Sequence, residues 1–171
     1  VRKIVLLPVH NEGPSLHAVL DRLVHTADII IAVDDGSRDA SPEILRAWAA
    51  KNGKVTVIRS DVNAGKSRAL ELGFRSVLAM LEKRLAAPDD AVITMDADGQ
   101  IPPEIVERAC VIFADRGLDM LIGARDLRRY PPVKRLGNAF ITRLASALAA
   151  FPFRDTLCGF RILRAGHLAR I

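Results

Sequence analysis

The sequence predicts an α/β protein built on a mostly parallel sheet with helices on both faces. Three observations carry this. Short β-branched runs alternate with longer runs at helical spacing. The short runs are apolar throughout, as strands covered on both faces are. The chain has 171 residues, 50% of them hydrophobic and 26% charged, enough to bury one sizeable core.

The elements follow in order. Lys3–Val9 (KIVLLPV) reads as a buried strand. Leu16, Val19, Leu20, Leu23 and Val24 then recur at helical spacing. Residues 28–33 (DIIIAV) form a second apolar strand. Ser41 and Pro42 look like an N-cap followed by Pro at the first helical position, with Ile44, Leu45 and Trp48 on the inner face of the helix. Residues 54–58 give a third strand. A long helix follows Gly65, with Leu70, Phe74, Val77, Leu78, Leu81 and Leu85 on one side, and Pro88 breaks it. Residues 91–95 (AVITM) are a fourth strand. Pro102 and Pro103 open a helix with Ile105, Val106, Ala109, Ile112 and Phe113 facing inward, and residues 120–123 close a fifth strand.

Beyond Gly123 the pattern changes. Residues 126–133 read as a charged loop, 136–151 as an apolar helix and 159–163 as a short strand. The stretch from Arg125 to Ile171 carries ten Lys/Arg against two acids, a net +8, which leaves −3 for residues 1–124 of a chain whose total is +5. A basic end on a mildly acidic body suggests an anionic partner, with a solvated basic face as the plain alternative. Phosphate, acidic lipid and nucleic acid are the candidates; the last is weakest, because the basic part has few aromatic residues on which bases could stack.

Two cysteines, Cys110 and Cys158, form no CxxC pair or Cys/His cluster, so reduced thiols in a cytoplasmic compartment are expected. The sequence has no secretory signal and no uninterrupted apolar span of about 18 residues. It begins at Val1 and ends just after a strand-like run. The expectation is one domain over 1–171, incomplete at its C-terminal end, with 125–171 as a tail over the active site.

Ligands of open α/β sheets bind outside the carboxyl ends of the strands. There strand one ends in Pro8-Val9-His10-Asn11-Glu12, strand two in Asp34-Asp35-Gly36-Ser37 and strand four in Asp96-Ala97-Asp98-Gly99-Gln100. A lone Asp-x-Asp is common by chance, but one at a buried strand end, with Gln two residues on and a second acidic strand end nearby, is a stronger signal. Hard divalent cations take one or two carboxylates plus substrate phosphates, so Mg²⁺ or Mn²⁺ on Asp96 and Asp98 would turn a repulsive acidic corner into a diphosphate site. The plain alternative is a pair of aspartates capping the helix after Pro102. Asp34 and Asp35 also suit a simple turn. Asn63-Ala64-Gly65-Lys66 sets a helix N-terminus and a Lys together, a natural anion contact without Walker spacing. His10 reads as a structural hydrogen-bonding residue before it reads as a base.

PVHNE, VDDGSRD, NAGKSRALELGF and MDADGQIPPE, in this order and spacing, resemble the motif series of the family 2 glycosyltransferases with the GT-A fold. IGARDLRR, KRLGNAF and DTLCGFRILR are similar to the dolichyl- or polyprenyl-phosphate branch, such as dolichol-phosphate mannose synthase. The resemblance implies a nucleotide-sugar donor (UDP- or GDP-linked), a polyprenyl phosphate acceptor, a Mg²⁺ or Mn²⁺ cofactor and a position at the cytoplasmic face of a membrane. By matching position, Pro8, His10, Glu12 and Asp35 would hold the base and ribose, with Lys66 near the nucleotide. Asp96, Asp98 and Gln100 would bind the metal and the donor diphosphate. Arg125 and Arg135 would grip the acceptor phosphate. Asp98 and Asp155 would serve catalysis, Asp155 as a base or orienting carboxylate; its plain alternative is pairing with Arg154 or Arg161. The apolar face of the 136–151 helix, with Leu136, Phe140, Ile141, Leu144 and Leu148, suits either an interfacial helix or a core helix.

Rival expectations are a family 2 transferase with a sugar hydroxyl acceptor, a nucleotidylyltransferase and a non-catalytic phospho-receiver module. The second normally carries a Gly-rich loop after strand one that PVHNEG does not supply. The third leaves the Asp96–Asp98–Gln100 cluster unexplained.

Overall fold

The computed structural model describes residues 1–125 and 131–170. A six-stranded sheet runs in the order β3-β2-β1-β4-β6-β5. Strands β1 (Lys3–Val9), β2 (Ile29–Asp35), β3 (Val55–Ser60) and β4 (Ala91–Thr94) pair in parallel. Strand β6 (Arg161–Arg164) lies antiparallel between β4 and β5 (Met120–Ile122). The expected mostly parallel α/β sheet is therefore present, with one inserted antiparallel strand.

Period-two alternation divides β1 between two cores. Val5, Leu7 and Val9 point to one face, where α1 (Gly13–Thr26), α2 (Ser41–Lys51) and α4 (Ile105–Asp115) pack. Ile4 and Leu6 point to the other, under α3 (Lys66–Glu82) and the 3-10 helix at Ala165–Arg170. Gly73 of α3 lies over Leu6, where an added Cβ would come within 3.2 Å of the leucine side chain. Residues 126–133, expected as a charged loop, fall largely outside the described residues.

Several boundaries and faces differ from expectation for identifiable reasons. Strand β2 runs on through Asp34 and Asp35, because their partners Arg59 and Ser60 continue the ladder. Ser41 begins α2 rather than capping it; its hydroxyl accepts the Glu12 N–H at 3.0 Å, and Asp39 accepts the Ser41 N–H at 2.9 Å. Helix α3 ends before Leu85, which is exposed. Ile105 and Ile112 face outward, and α4 buries Val106, Ala109, Cys110 and Phe113, a cleaner helical stripe.

Helix α5 (Pro132–Leu148) is not a core helix. It turns Asn138 and Thr142 inward and leaves Leu136, Phe140, Ile141, Leu144 and Leu148 exposed, from 44% for Ile141 to 81% for Leu148. No helix among the described residues is long and apolar enough to cross a membrane.

Candidate active site

The sheet changes direction of growth at β1: β2 and β3 add on one side, β4 on the other. Such a switch point opens a crevice at the carboxyl ends of the strands. Here that crevice is a cleft of about 400 Å³, lined by Pro8, His10, Glu12, Asp35, Asn63, Lys66, Asp96 and Asp98, among others. It gathers the ends of β1, β2 and β4 with the start of α3.

Asp35 shapes the cleft. Its buried carboxylate accepts the Ala64 N–H at 2.9 Å and the Gly65 N–H at 2.7 Å, pinning the loop that opens α3. The turn after it needs Gly36: φ is +67°, and a Cβ there would lie 2.6 Å from the Asn63 nitrogen. The clamp delivers Asn63 and Lys66 to the cleft wall.

His10 is held from both sides. Its Nδ1–H donates to the Asp35 carbonyl at 2.8 Å, and Nε2 accepts from the Asn11 and Asn63 amides at 3.0 Å each. This tautomer follows from the amide donors on Nε2. With both nitrogens engaged, His10 is a wall residue rather than a base.

The acidic side joins residues far apart in sequence. The Lys66 ammonium bonds the Asp96 carboxylate. Asp98 Oδ1 accepts the Gln100 N–H at 2.9 Å, which fixes the carboxylate through the turn at Gly99. Burial raises the Glu12 carboxyl above its ordinary range, and repulsion from Asp98 and Asp96 adds to this against the Ser15 hydrogen bond. Ser15 also donates to the Ala97 carbonyl at 3.1 Å, tying α1 to the loop after β4.

The backbone of Gly159 packs against Asp96, and the Asp96 carboxylate fills the space that a Cβ at Gly159 would take. The Thr94 hydroxyl donates to the Gly159 carbonyl at 2.9 Å and holds that approach. Asn63 and Gly159 lie within runs that the sequence marked, Asn63-Ala64-Gly65-Lys66 and DTLCGFRILR, without a role of their own; that of Gly159 depends on β6 docking beside β4.

Arg125 and Asp155 form a separate pair. Arg125 Nε and Nη2 reach the two Asp155 oxygens at 2.8 and 3.1 Å, and the Arg125 and Leu157 N–H groups donate at 3.2 and 3.0 Å. The pairing foreseen for Asp155, with Arg154 or Arg161, is thus made with Arg125. Burial alone would raise the Asp155 carboxyl, but these hydrogen bonds outweigh it and hold it below the ordinary range. Asp155 lines a second cavity of about 610 Å³ with Met120, Ile122, Phe151 and Phe153.

The cleft therefore brings together Pro8, His10, Glu12, Asp35, Lys66, Asp96 and Asp98. Gln100 is exposed and contributes its N–H rather than a cleft wall, and Arg135 is exposed on α5. Among the described residues, no group of three or more His, Cys, Asp or Glu side chains is arranged to hold a metal by itself. Two carboxylates lining one cleft, Asp96 and Asp98, leave the other positions to phosphate oxygens, which suits Mg²⁺ or Mn²⁺.

Known proteins share this fold. The mannosyltransferase PcManGT from Pyrobaculum calidifontis, solved with GDP-Man and Mn²⁺, superposes with a TM-score of 0.63 at 20% identity over 99% of this chain and 46% of that one. Glucosyl-3-phosphoglycerate synthase from Mycobacterium tuberculosis, solved with phosphoglyceric acid, superposes at 0.67 and 21% identity over 96% of this chain and 57% of that one. The fold is that of the GT-A glycosyltransferases.

The model of glycosyl transferase family 2 matches residues 4–166, and the chain belongs to that family. It is 34% identical to an undecaprenyl-phosphate 4-deoxy-4-formamido-L-arabinose transferase from Edwardsiella ictaluri, over 94% of this chain and 48% of the relative. It is 30% identical to an uncharacterized protein of Methanocaldococcus jannaschii, over 96% of this chain and 72% of that one. The chain thus spans about half the length of the named transferase.

Proposed function

We propose that this chain carries the donor-binding and catalytic machinery of an inverting, metal-dependent glycosyltransferase that moves a sugar from a UDP- or GDP-linked donor to a polyprenyl phosphate. The observation that carries this reading is the meeting of Glu12, Asp35, Lys66, Asp96 and Asp98 in one cleft at the switch point. The likeness to a transferase named for undecaprenyl phosphate supports the acceptor.

In this reading residues 1–171 form one catalytic domain. Pro8, His10, Glu12 and Asp35 receive the base and ribose, and Lys66 the diphosphate. Asp96 and Asp98 would hold Mg²⁺ or Mn²⁺, and Gln100, outside the cleft wall, would fix Asp98 through its N–H. When bound, the cation supplies positive charge to the departing diphosphate. An oxygen of the acceptor phosphate would attack the anomeric carbon on the face opposite the nucleoside diphosphate; the new C–O bond forms as the bond to the diphosphate breaks, the diphosphate leaves, and the centre inverts.

Residues 125–171 face the acceptor. Arg125 and Arg135 grip its phosphate, and Asp155 orients Arg125 for that task. The state of Asp155 favours a phosphate acceptor over a sugar hydroxyl. A hydroxyl needs a base to take its proton, whereas a phosphate oxygen is already an anionic nucleophile. A carboxylate bonded to Arg125 and held below its ordinary range is a weak base. The outward apolar face of α5, flanked by Lys134, Arg135 and Arg143, suits the cytoplasmic surface of a membrane.

Transfer assays with labelled UDP- and GDP-sugars test this. Labelled lipid is expected with undecaprenyl phosphate and none with free sugars. Product with sugar acceptors alone would establish the hydroxyl-acceptor reading instead.

A further inference from the structure

We infer that Lys66 is a two-position residue. Its ammonium stands in for the divalent cation on Asp96 while the cleft is empty, and transfers to the donor diphosphate when cation and nucleotide enter together. The inference rests on the donor-site reading above and adds a competition between the chain's own cation and the metal.

Four carboxylates line this cleft, from Glu12, Asp35, Asp96 and Asp98, and Lys66 is the one Lys or Arg among its lining residues. Asp35 is satisfied by backbone N–H groups. Asp98 has a backbone partner at one oxygen. Asp96 has no such N–H partner among the described residues; its hydrogen-bond partner is the Lys66 ammonium, and the Gly159 backbone packs against the same carboxylate. A cation on Asp96 must therefore compete with the Lys66 ammonium for Oδ1.

The chain geometry allows the residue to leave. Lys66 is the first residue of α3, and its backbone is fixed by the Asp35 clamp on Ala64 and Gly65. Its side chain is half exposed, so the flexible stem can swing without disturbing packing. A diphosphate brought in on a cation at Asp96 and Asp98 would lie beside the start of α3, where both the helix N-terminus and the released ammonium favour negative charge. Metal and nucleotide should then bind with positive coupling, because one displaces Lys66 and the other receives it.

This predicts opposite signs for two affinities in one variant. In Lys66→Met, Mn²⁺ alone should bind about fivefold more tightly, the range of a partly exposed ion pair removed as competitor. GDP or UDP in the presence of Mn²⁺ should bind about tenfold more weakly, for loss of a charge-assisted phosphate contact. Lys66→Arg should keep both affinities near wild type. Free Mn²⁺ read by electron paramagnetic resonance gives the first affinity, and calorimetry with GDP and UDP gives the second, with unchanged melting temperature as the folding control. Weaker or unchanged Mn²⁺ binding in Lys66→Met would overturn the stand-in role while leaving the donor site intact. Failure of the wild type to take up either nucleotide with Mn²⁺ would sink the donor-site reading and this inference together.

Discussion

At the scale of single residues, the candidate site is set by carboxylates whose partners differ. Asp35 is spent on backbone N–H groups, Asp155 on Arg125, and Asp96 on the Lys66 ammonium, with Gly159 packed against the same carboxylate. Gly159 leaves no room for a side chain beside Asp96. In Gly159→Ala the new methyl must push Asp96 aside, since the carboxylate already fills the space a Cβ would take. Expected are a loss of stability of about 1–3 kcal/mol and at least about tenfold weaker Mn²⁺-dependent nucleotide binding, the worth of a displaced charged contact. Denaturant melts and calorimetry measure the two. Wild-type nucleotide affinity in this variant would show that Asp96 does not need its position.

Among the elements, α5 departs most from ordinary practice. A helix on a protein surface normally buries its apolar stripe, and this one buries Asn138 and Thr142. The Thr142 hydroxyl lies 3.3 Å from that of Thr156, and Ser146 receives the Phe153 N–H at 3.0 Å, so polar contacts hold the inner face. The outer face is apolar and flanked by basic residues. Substituting Leu144→Glu should cut cosedimentation with anionic vesicles by about fivefold or more, since it replaces buried apolar area with a like charge. The melting temperature should hold, because Leu144 is 52% exposed. Unchanged vesicle binding would remove α5 from the membrane-facing surface.

For the whole molecule, the central strands and the corner they end in were legible in the sequence because β1, β2 and β4 are continuous apolar runs closed by polar residues. Val9 leads to His10 and Glu12, Val33 to Asp34 and Asp35, and Met95 to Asp96. Parallel order places those endings side by side. What was not legible depends on contacts between distant segments. The insertion of β6 between β4 and β5 brings Gly159 onto Asp96, and no local pattern near Gly159 encodes that. The Lys66–Asp96 and Arg125–Asp155 bonds each span 30 residues, so charge counting showed the ions but not their pairing. The outward turn of Ile105 and Ile112 likewise follows from how α4 rolls onto the sheet. To this scale belongs the proposal that three strand ends and one helix start converge to take a cation-bound nucleoside diphosphate. Calorimetric titration of GDP- and UDP-sugars with and without Mn²⁺, on wild type and Asp98→Ala, tests it. Expected are Mn²⁺-dependent binding in wild type and at least about a hundredfold loss in Asp98→Ala, with the fold retained by circular dichroism. Equal binding by both proteins in Mn²⁺ would overturn it.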